Sequence, residues 1–571
     1  MIRTKVLIII VIFMFLFLVF GLLNLIGLQG NKFKDLSNNN CIRLTPQLGC
    51  RGKILDRNGE VIVDSRISYD LAVMPSGSVQ LENTFAAISK LINKDVKDLR
   101  KSFNYGYFSP SVPVTVARNI NLSKVIAIEQ IRSDYQGIVI QPTPVRNYPY
   151  SSLGSHFLGY VNEIDRWRLT KLKDYGYKTK DIVGFGGVEE KYDYYLRQEQ
   201  GGLSVEVDHR GRFVRLLGFK PPRNGKDIQL TINLKIQKIA ESSLGERKGC
   251  VVIINPNTGE ILAMASSPDF DPSLFVNRSG SGISNLFSNS SAPLMNRAIS
   301  ATYPAGSIFK VVVSTAALET KKINQNTSFL CQGSAIIGRS QFKCWNTHGM
   351  QNLIGGLTHS CNVFFYKTGL LTGALNIHDY AIKLGFGHNT SFELPYEVPG
   401  FIPSPIWRKI NKFQNWFDGD TANLSIGQGD VAVTPIQVVR MMSVFANKGY
   451  LVTPYIVKNI DGRDISKYQT RIEKLNLKIS NIELIRQGLR RVVSEPTGTG
   501  NVLSSLPVSI AGKTGTAQAP PGQPHAWFVG FFPYEKPKFA ICVLLDHGGP
   551  GYYSCLVGKQ IIDQMSKEGL I

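Results

Sequence analysis

Acidic side chains are few beside basic ones in this 571-residue sequence: 42 Asp and Glu stand against 64 Lys and Arg, a formal net charge of +22. The imbalance suits an anionic membrane surface or a pyrophosphate-bearing substrate, or it is a general Lys-rich bias. Nowhere do the basic residues form a dense tract interleaved with aromatics, so no nucleic-acid partner is expected. Cysteine is sparse as well. The eight are Cys41, Cys50, Cys250, Cys331, Cys344, Cys361, Cys542 and Cys555, an even number that permits disulfides without showing them. Cys250 and Cys542 sit in apolar strand-like runs, where thiols are buried and inert. A cleavage site is also missing. Val6 to Leu28 is apolar apart from Asn24 and two glycines, and as a helix of about 34 Å it would cross a hydrocarbon core of about 30 Å. A cleaved leader would end at a small-x-small site, and Gln29-Gly30-Asn31-Lys32 is none, so the stretch reads as a single membrane span. The chain is too long for one core, and two or three domains of about 100–250 residues are expected.

The chemistry gathers around Tyr303-Pro304-Ala305-Gly306-Ser307-Ile308-Phe309-Lys310, which runs into an apolar helical stretch to Leu318. Pro304 and Gly306 mark a loop, so Ser307 is predicted in the first helical turn, with Lys310 on the same face three residues on. That pair supplies a serine nucleophile and a lysine base, and the helix N-terminus offers backbone N–H donors to an oxyanion. Ser340-Gln341-Phe342-Lys343 repeats the spacing but leads into a segment without helical period. Two further elements single out the first match: Ser360-Cys361-Asn362 and Lys513-Thr514-Gly515-Thr516. The trio is the signature of penicillin-binding proteins and class A β-lactamases, and in this order the chain resembles a penicillin-binding transpeptidase. A second Lys-Thr-Gly, Lys367-Thr368-Gly369, falls inside the helix expected after Ser360. The copy at Lys513 precedes a strand and fits the edge of a cleft, where Gly515 would let a substrate backbone approach.

Upstream, Arg51-Gly52-Lys53-Ile54-Leu55-Asp56-Arg57-Asn58-Gly59 has a hairpin's Asn-Gly turn and resembles the opening of the pedestal in class B, monofunctional penicillin-binding proteins. Arg146-Asn147-Tyr148-Pro149, His156-Phe157-Leu158-Gly159-Tyr160 and Gly186-Gly187-Val188-Glu189 resemble the penicillin-binding protein 2 branch. Arg51, Asp56, Arg57 and Glu189 are expected to form a buried ion-pair scaffold. Asn423 to Gly429 resembles another transpeptidase landmark, a turn beside the cleft. No stretch resembles the glycan-polymerising domain of bifunctional relatives.

The resemblance implies a mixed α/β multidomain chain. Its parts would be a cytoplasmic tail at 1–5, a transmembrane helix at 6–28, and a periplasmic pedestal at 29–224 with a head at about 68–144. A transpeptidase domain follows at 225–571, with an antiparallel sheet covered by helices, and the hairpin-like runs at both of its ends carry that reading independently. Flanking charge does not orient the span, since Arg3 and Lys5 face Lys32 and Lys34; the resemblance places the large domain outside the inner membrane. It implies a serine D-Ala-D-Ala transpeptidase that cross-links peptidoglycan stem peptides during cell elongation, with a RodA-type glycan polymerase as partner and β-lactams as trapping agents. A β-lactam sensor or scaffold without turnover, and a D,D-carboxypeptidase or β-lactamase, are the alternatives. By the same resemblance Ser360 relays a proton between the lysines, Asn362 binds the substrate backbone, and Thr514 and Thr516 hold the donor's terminal carboxylate. The N–H of Thr516 joins that of Ser307 at the oxyanion. Finally, Cys331, Cys344, His348 and Cys361 follow the pattern Cys-x12-Cys-x3-His-x12-Cys, whose central spacing suits zinc. Relatives of the branch carry mixed Asp, His and Cys ligands here. One structural zinc is expected, with a Cys331–Cys344 disulfide or unlinked thiols as the other possibilities.

Overall fold

The apolar N-terminal stretch is helical over Ile2–Leu23 in the computed structural model and widens into a π-helical turn over Asn24–Leu28. One segment, Thr4–Gly27, is long and apolar enough to cross a membrane. The structure describes residues 2–32, 34, 42–75, 81–107, 113–135, 137–207 and 213–571; Cys41 lies outside them.

The chain divides into two units, and the division is not a single cut. Residues 1–51, 66–145 and 197–225 make one; residues 52–65, 146–196 and 226–571 make the other. In the first, Leu81–Ile92, Val96–Gly106 and Leu122–Ile131 are helices beside the antiparallel pairing of Tyr69–Val73 with Val114–Ile120. Phe85, Ile88, Leu99 and Ile128 form their core. Separately, Ile42–Gln47, Gly201–Val207 and Phe213–Lys220 form a three-stranded sheet.

The second unit is built on five strands: β1 (Gly249–Ile254), β2 (Ile261–Ser267), β3 (Ala511–Ala517), β4 (His525–Phe532) and β5 (Phe539–Leu545). The order is β2-β1-β5-β4-β3, antiparallel throughout. Five helices matter here: α1 (Leu234–Leu244), α2 (Lys310–Glu319), α3 (Asn362–Thr372), α4 (Pro435–Ala446) and α5 (Gly551–Lys567). α1 and α5 cover one face of the sheet and α4 the other. With both faces covered, every residue of β1, β2, β4 and β5 is buried, which explains their unbroken apolar runs. The sheet order leaves β3, which carries Lys513-Thr514-Gly515, at an edge.

Two members of the expected ion-pair scaffold, Glu189 and Asp56, have partners beyond it. Glu189 pairs with Arg146, Nε to Oε1 2.6 Å, with both side chains buried. Asp56 instead accepts the N–H groups of Asn58 and Glu60 at 2.7 and 2.9 Å and closes the Asn58-Gly59 turn. Arg146 also donates to the Gly52 carbonyl at 2.6 Å. Truncating one member of a buried pair strands the other charge, so Arg146→Ala is expected to cost about 3–5 kcal/mol. Thermal unfolding checks this: Arg146→Met with Glu189→Leu should recover most of the loss, and an unchanged transition in the single variant would refute it.

Candidate active site

The nucleophile turn comes first. Gly306–Phe309 is a single 3₁₀ turn that passes directly into α2. Gly306 has φ +55°, and a Cβ there would lie 3.0 Å from the Thr516 carbonyl oxygen, so the turn closes against β3 only with glycine. The Gly306 N–H donates to the Gly427 carbonyl at 2.9 Å. The Asn423–Gly429 landmark is thus a brace for the serine loop. Gly515 has a use besides the one expected: a Cβ there would meet Ile308 and Trp527, each at 3.1 Å. It makes room for the nucleophile turn itself.

Lys310 is fully buried, and its ammonium donates to the Ser360 carbonyl (2.7 Å), Ser360 Oγ (3.1 Å) and Asn362 Oδ1 (2.7 Å). Ser307 Oγ receives none of these bonds; free enzymes often hold such contacts loose until substrate arrives. Burial lowers the Lys310 pKa to about 7. Ser360 adopts φ +52°, a left-handed link between the helix Leu353–Thr358 and α3. Lys513 is buried too. It donates to the Thr514 carbonyl at 3.1 Å, and burial, then the charge of Lys310, keeps its pKa well below the ordinary lysine value. Among the described residues neither Lys310 nor Lys513 pairs with a carboxylate, and such a site suits an incoming anion. Thr514 Oγ1 donates to Thr499 Oγ1 at 2.8 Å, and exposed Thr516 accepts the Gly551 N–H at 3.0 Å.

The two repeats of the motifs lack the setting of the first copies. Ser340 and Lys343 lie on a short strand, where residues three apart point to opposite faces. Lys367-Thr368-Gly369 is inside α3. Thr499 and His359 carry no sequence signal. His359 bonds to Gln351 at 2.8 Å and Thr497 at 3.1 Å, tying the Ser360 turn to the Thr499 loop.

Beneath the Ser360 turn, Cys331, Cys344, His348 and Cys361 bring their ligand atoms within 4.8 Å of one another. His348 Nδ1 is 3.6 Å from Cys331 Sγ and 3.5 Å from Cys344 Sγ. A tetrahedral ion with Zn–S of about 2.3 Å and Zn–N of about 2.0 Å would separate sulfur and nitrogen by about 3.5 Å, so the residues fit the metal. The described cysteines are all free thiols. The Cys361 thiol donates to Cys344, which holds Cys344 at about 4 and pushes Cys361 up. A second group, His525, Asp546 and His547, is a poorer ligand set, because Asp546 already accepts from Lys248 at 3.0 Å.

Comparison with known proteins agrees with this geometry. Residues 249–567 match the penicillin binding protein transpeptidase domain, and residues 46–230 the penicillin-binding protein dimerisation domain. The peptidoglycan D,D-transpeptidase MrdA of Escherichia coli K12 is 31% identical over 581 residues, covering 95% of this chain and 91% of that one. The Helicobacter pylori penicillin-binding protein PBP2, solved in complex with MreC, superposes with a TM-score of 0.82 at 27% identity over 93% of this chain and 99% of that chain. A chain from a peptidoglycan synthase complex, studied for the coordination of polymerization and crosslinking, gives a TM-score of 0.76 at 27% identity, covering 100% of this chain and 99% of its own.

Proposed function

The chain belongs to the penicillin-binding protein transpeptidases of the PBP2 type, and we propose that within it Ser307 is the nucleophile and Lys310 the base of acyl transfer. It is a serine D,D-transpeptidase that cross-links peptidoglycan, held in the inner membrane by one apolar helix with its catalytic part in the periplasm. The observation that carries the residue assignment is the buried Lys310 ammonium held by Ser360 and Asn362 one turn from Ser307. Neutral Lys310 takes the Ser307 proton as Oγ attacks the penultimate D-alanine carbonyl. The N–H groups of Ser307 and Thr516 receive the oxyanion, and Ser360 relays the proton to the departing D-alanine. Lys513, Thr514 and Thr516 hold the donor's terminal carboxylate, with the donor laid along the free edge of β3. Gly515 lets the serine loop close on that edge. β-Lactams acylate the same Ser307.

Cys331, Cys344, His348 and Cys361 would hold one structural zinc, whose role is to fix the Ser360-Cys361-Asn362 turn. The domain plan is a tail at 1–5, a span at 6–28, a pedestal at 29–224 and a catalytic domain at 225–571. The proposed partners are a glycan polymerase of the RodA type and MreC, and the reading places the enzyme in cell elongation; the H. pylori protein's complex with MreC and the relative from a peptidoglycan synthase complex support it. Full-length protein in detergent, given a D-Ala-D-Ala donor and an amine acceptor, is expected to yield the transferred amide by mass spectrometry. Hydrolysed donor alone would mean a carboxypeptidase, and penicillin labelling without turnover a sensor.

A further inference from the structure

Near the cleft, residues 404–417 present largely exposed apolar surface. Ser404 caps the short helix Pro405–Asn411, its Oγ accepting the Trp407 N–H at 3.1 Å. Trp407 turns inward onto Phe401, with ring centroids 4.5 Å apart, and Trp416 bonds Thr421 at 2.8 Å. These two anchors fix the segment, and the other large apolar side chains face out. Ile406, Ile410, Phe413 and Phe417 are 60%, 64%, 90% and 66% exposed. Phe413 also has φ +53°, a conformation unfavourable for a bulky side chain and here offset by no burial, the kind of strain that functional sites retain.

The segment is basic throughout: Arg408, Lys409 and Lys412, with no acid between 404 and 417. Arg408 pairs with Asp420 and Lys412 with Asp430. Among the described residues Lys409 has no partner, and it is exposed.

The second half of the segment is tied to the catalytic centre at two points. Lys412 pairs with Asp430, which follows the turn whose Gly427 carbonyl holds the Gly306 N–H. Just past the segment, Gly419 packs on Phe342, a Cβ there lying 3.3 Å from its ring, and the next residue's carbonyl, that of Lys343, accepts from Asn362 Nδ2 at 3.4 Å. These contacts link the segment to the Ser307 loop and to Asn362.

We propose that this surface seats the stem peptide of the acyl acceptor. The inference rests on the transpeptidase reading, in which two peptides must meet at Ser307, and the β3 edge takes only the donor. The acceptor amine forms its bond to the acyl carbon, the C–Oγ bond breaks, and the amine proton returns to Ser307 Oγ. Stem peptides carry free carboxylates and aliphatic stretches. Lys409 and exposed Lys343 meet the first, and Ile410 and Phe413 the second.

The test uses the full chain in detergent and a thioester donor, whose thiolate leaves more readily than an amine and so loads Ser307 without a polymerase. Three rates are followed in Lys409→Glu and Phe413→Gly: acylation by fluorescent penicillin, transfer to glycine, and transfer to a tetrapeptide with free carboxylates. The first two are expected unchanged, while KM for the tetrapeptide rises about tenfold. Amidating the tetrapeptide should shrink the Lys409→Glu effect. Phe413→Gly should keep its thermal stability, since glycine relieves the strained φ; a residue of structural importance alone would lose stability instead. A tetrapeptide KM within about twofold of wild type in both variants overturns the proposal. So does an equal loss in all three rates, or a change confined to self-association in sedimentation, which would make the surface an interface between copies. If the wild type transferred to no amine at all, the transpeptidase reading would fail first and this one with it.

Discussion

Ser307→Ala is expected to lose covalent labelling by fluorescent penicillin by on the order of 10⁴-fold or more, while Ser340→Ala labels like the wild type. Both serines are followed by lysine three residues on, and the backbone separates them. The 3₁₀-to-α passage after Gly306 keeps Ser307 and Lys310 on one side, whereas the strand Ser340–Lys343 sends its two side chains apart. The pH profile sharpens the assignment. Only neutral Lys310 can accept the Ser307 proton, and burial has brought its pKa down to about 7. Lowering a lysine pKa enlarges the neutral fraction, so the acylation rate should climb as pH rises: roughly a tenth of the enzyme is competent near pH 6 and nine-tenths near pH 8. Lys310→Arg keeps the charge but never deprotonates in this range, and its acylation should collapse at every pH. Equal labelling of Ser307→Ala and wild type, or a pH-independent rate, would remove the assignment.

Loss of the proposed zinc, by chelation or by His348→Ala, is expected to slow acylation of Ser307 about 10- to 100-fold without altering any residue that meets the substrate. The path is short. Cys361 stands between Ser360 and Asn362, and those two supply every acceptor for the Lys310 ammonium. Asn362 N–H also donates to Cys344 Sγ at 3.2 Å, so a second ligand sulfur is tied to the same turn. An ion held by four groups from 331 to 361 would add to the hydrogen bonds that already hold this turn, those of His359 to Gln351 and Thr497 and of Lys310 to Ser360, and so help keep Ser360 in its left-handed conformation. Elemental analysis of protein purified without chelator or metal-affinity resin should give one zinc per chain, retained in Ser307→Ala and lost in His348→Ala. Trp345, whose ring centroid is 5.0 Å from that of His348, offers a fluorescence signal for the release. Substantially less than one zinc, with Cys331 and Cys344 joined in a non-reducing peptide map, would refute the site.

The sequence alone was enough for whatever is set by neighbours along the chain. The apolar run after Lys5 determines a spanning helix, Asn58-Gly59 a hairpin turn, and the apolar runs on either side of Asn255-Pro256-Asn257-Thr258-Gly259 and of Pro533 to Lys538 pairs of strands. The spacing of Ser307 and Lys310 also belongs here, since three residues of helix bring two side chains to one side whatever the rest of the protein does. So does the helical setting that disqualifies Lys367-Thr368-Gly369.

What needed the tertiary structure is whatever depends on chain segments far apart in sequence. No local pattern says that β3 ends the order β2-β1-β5-β4-β3, yet that order is what frees its edge. Glu189 had several cations to choose from, and only the folded backbone brings Arg146 to it at 2.6 Å. That Gly515 also makes room for Ile308, 3.1 Å from where its Cβ would lie, follows only from the packing of two segments distant in sequence. Lys310 looked bound to Ser307, three residues away. In the fold its bonds go to residues 50 and 52 positions on, because burial demands that an ammonium find acceptors, and the ones available are set by how α2 and α3 pack.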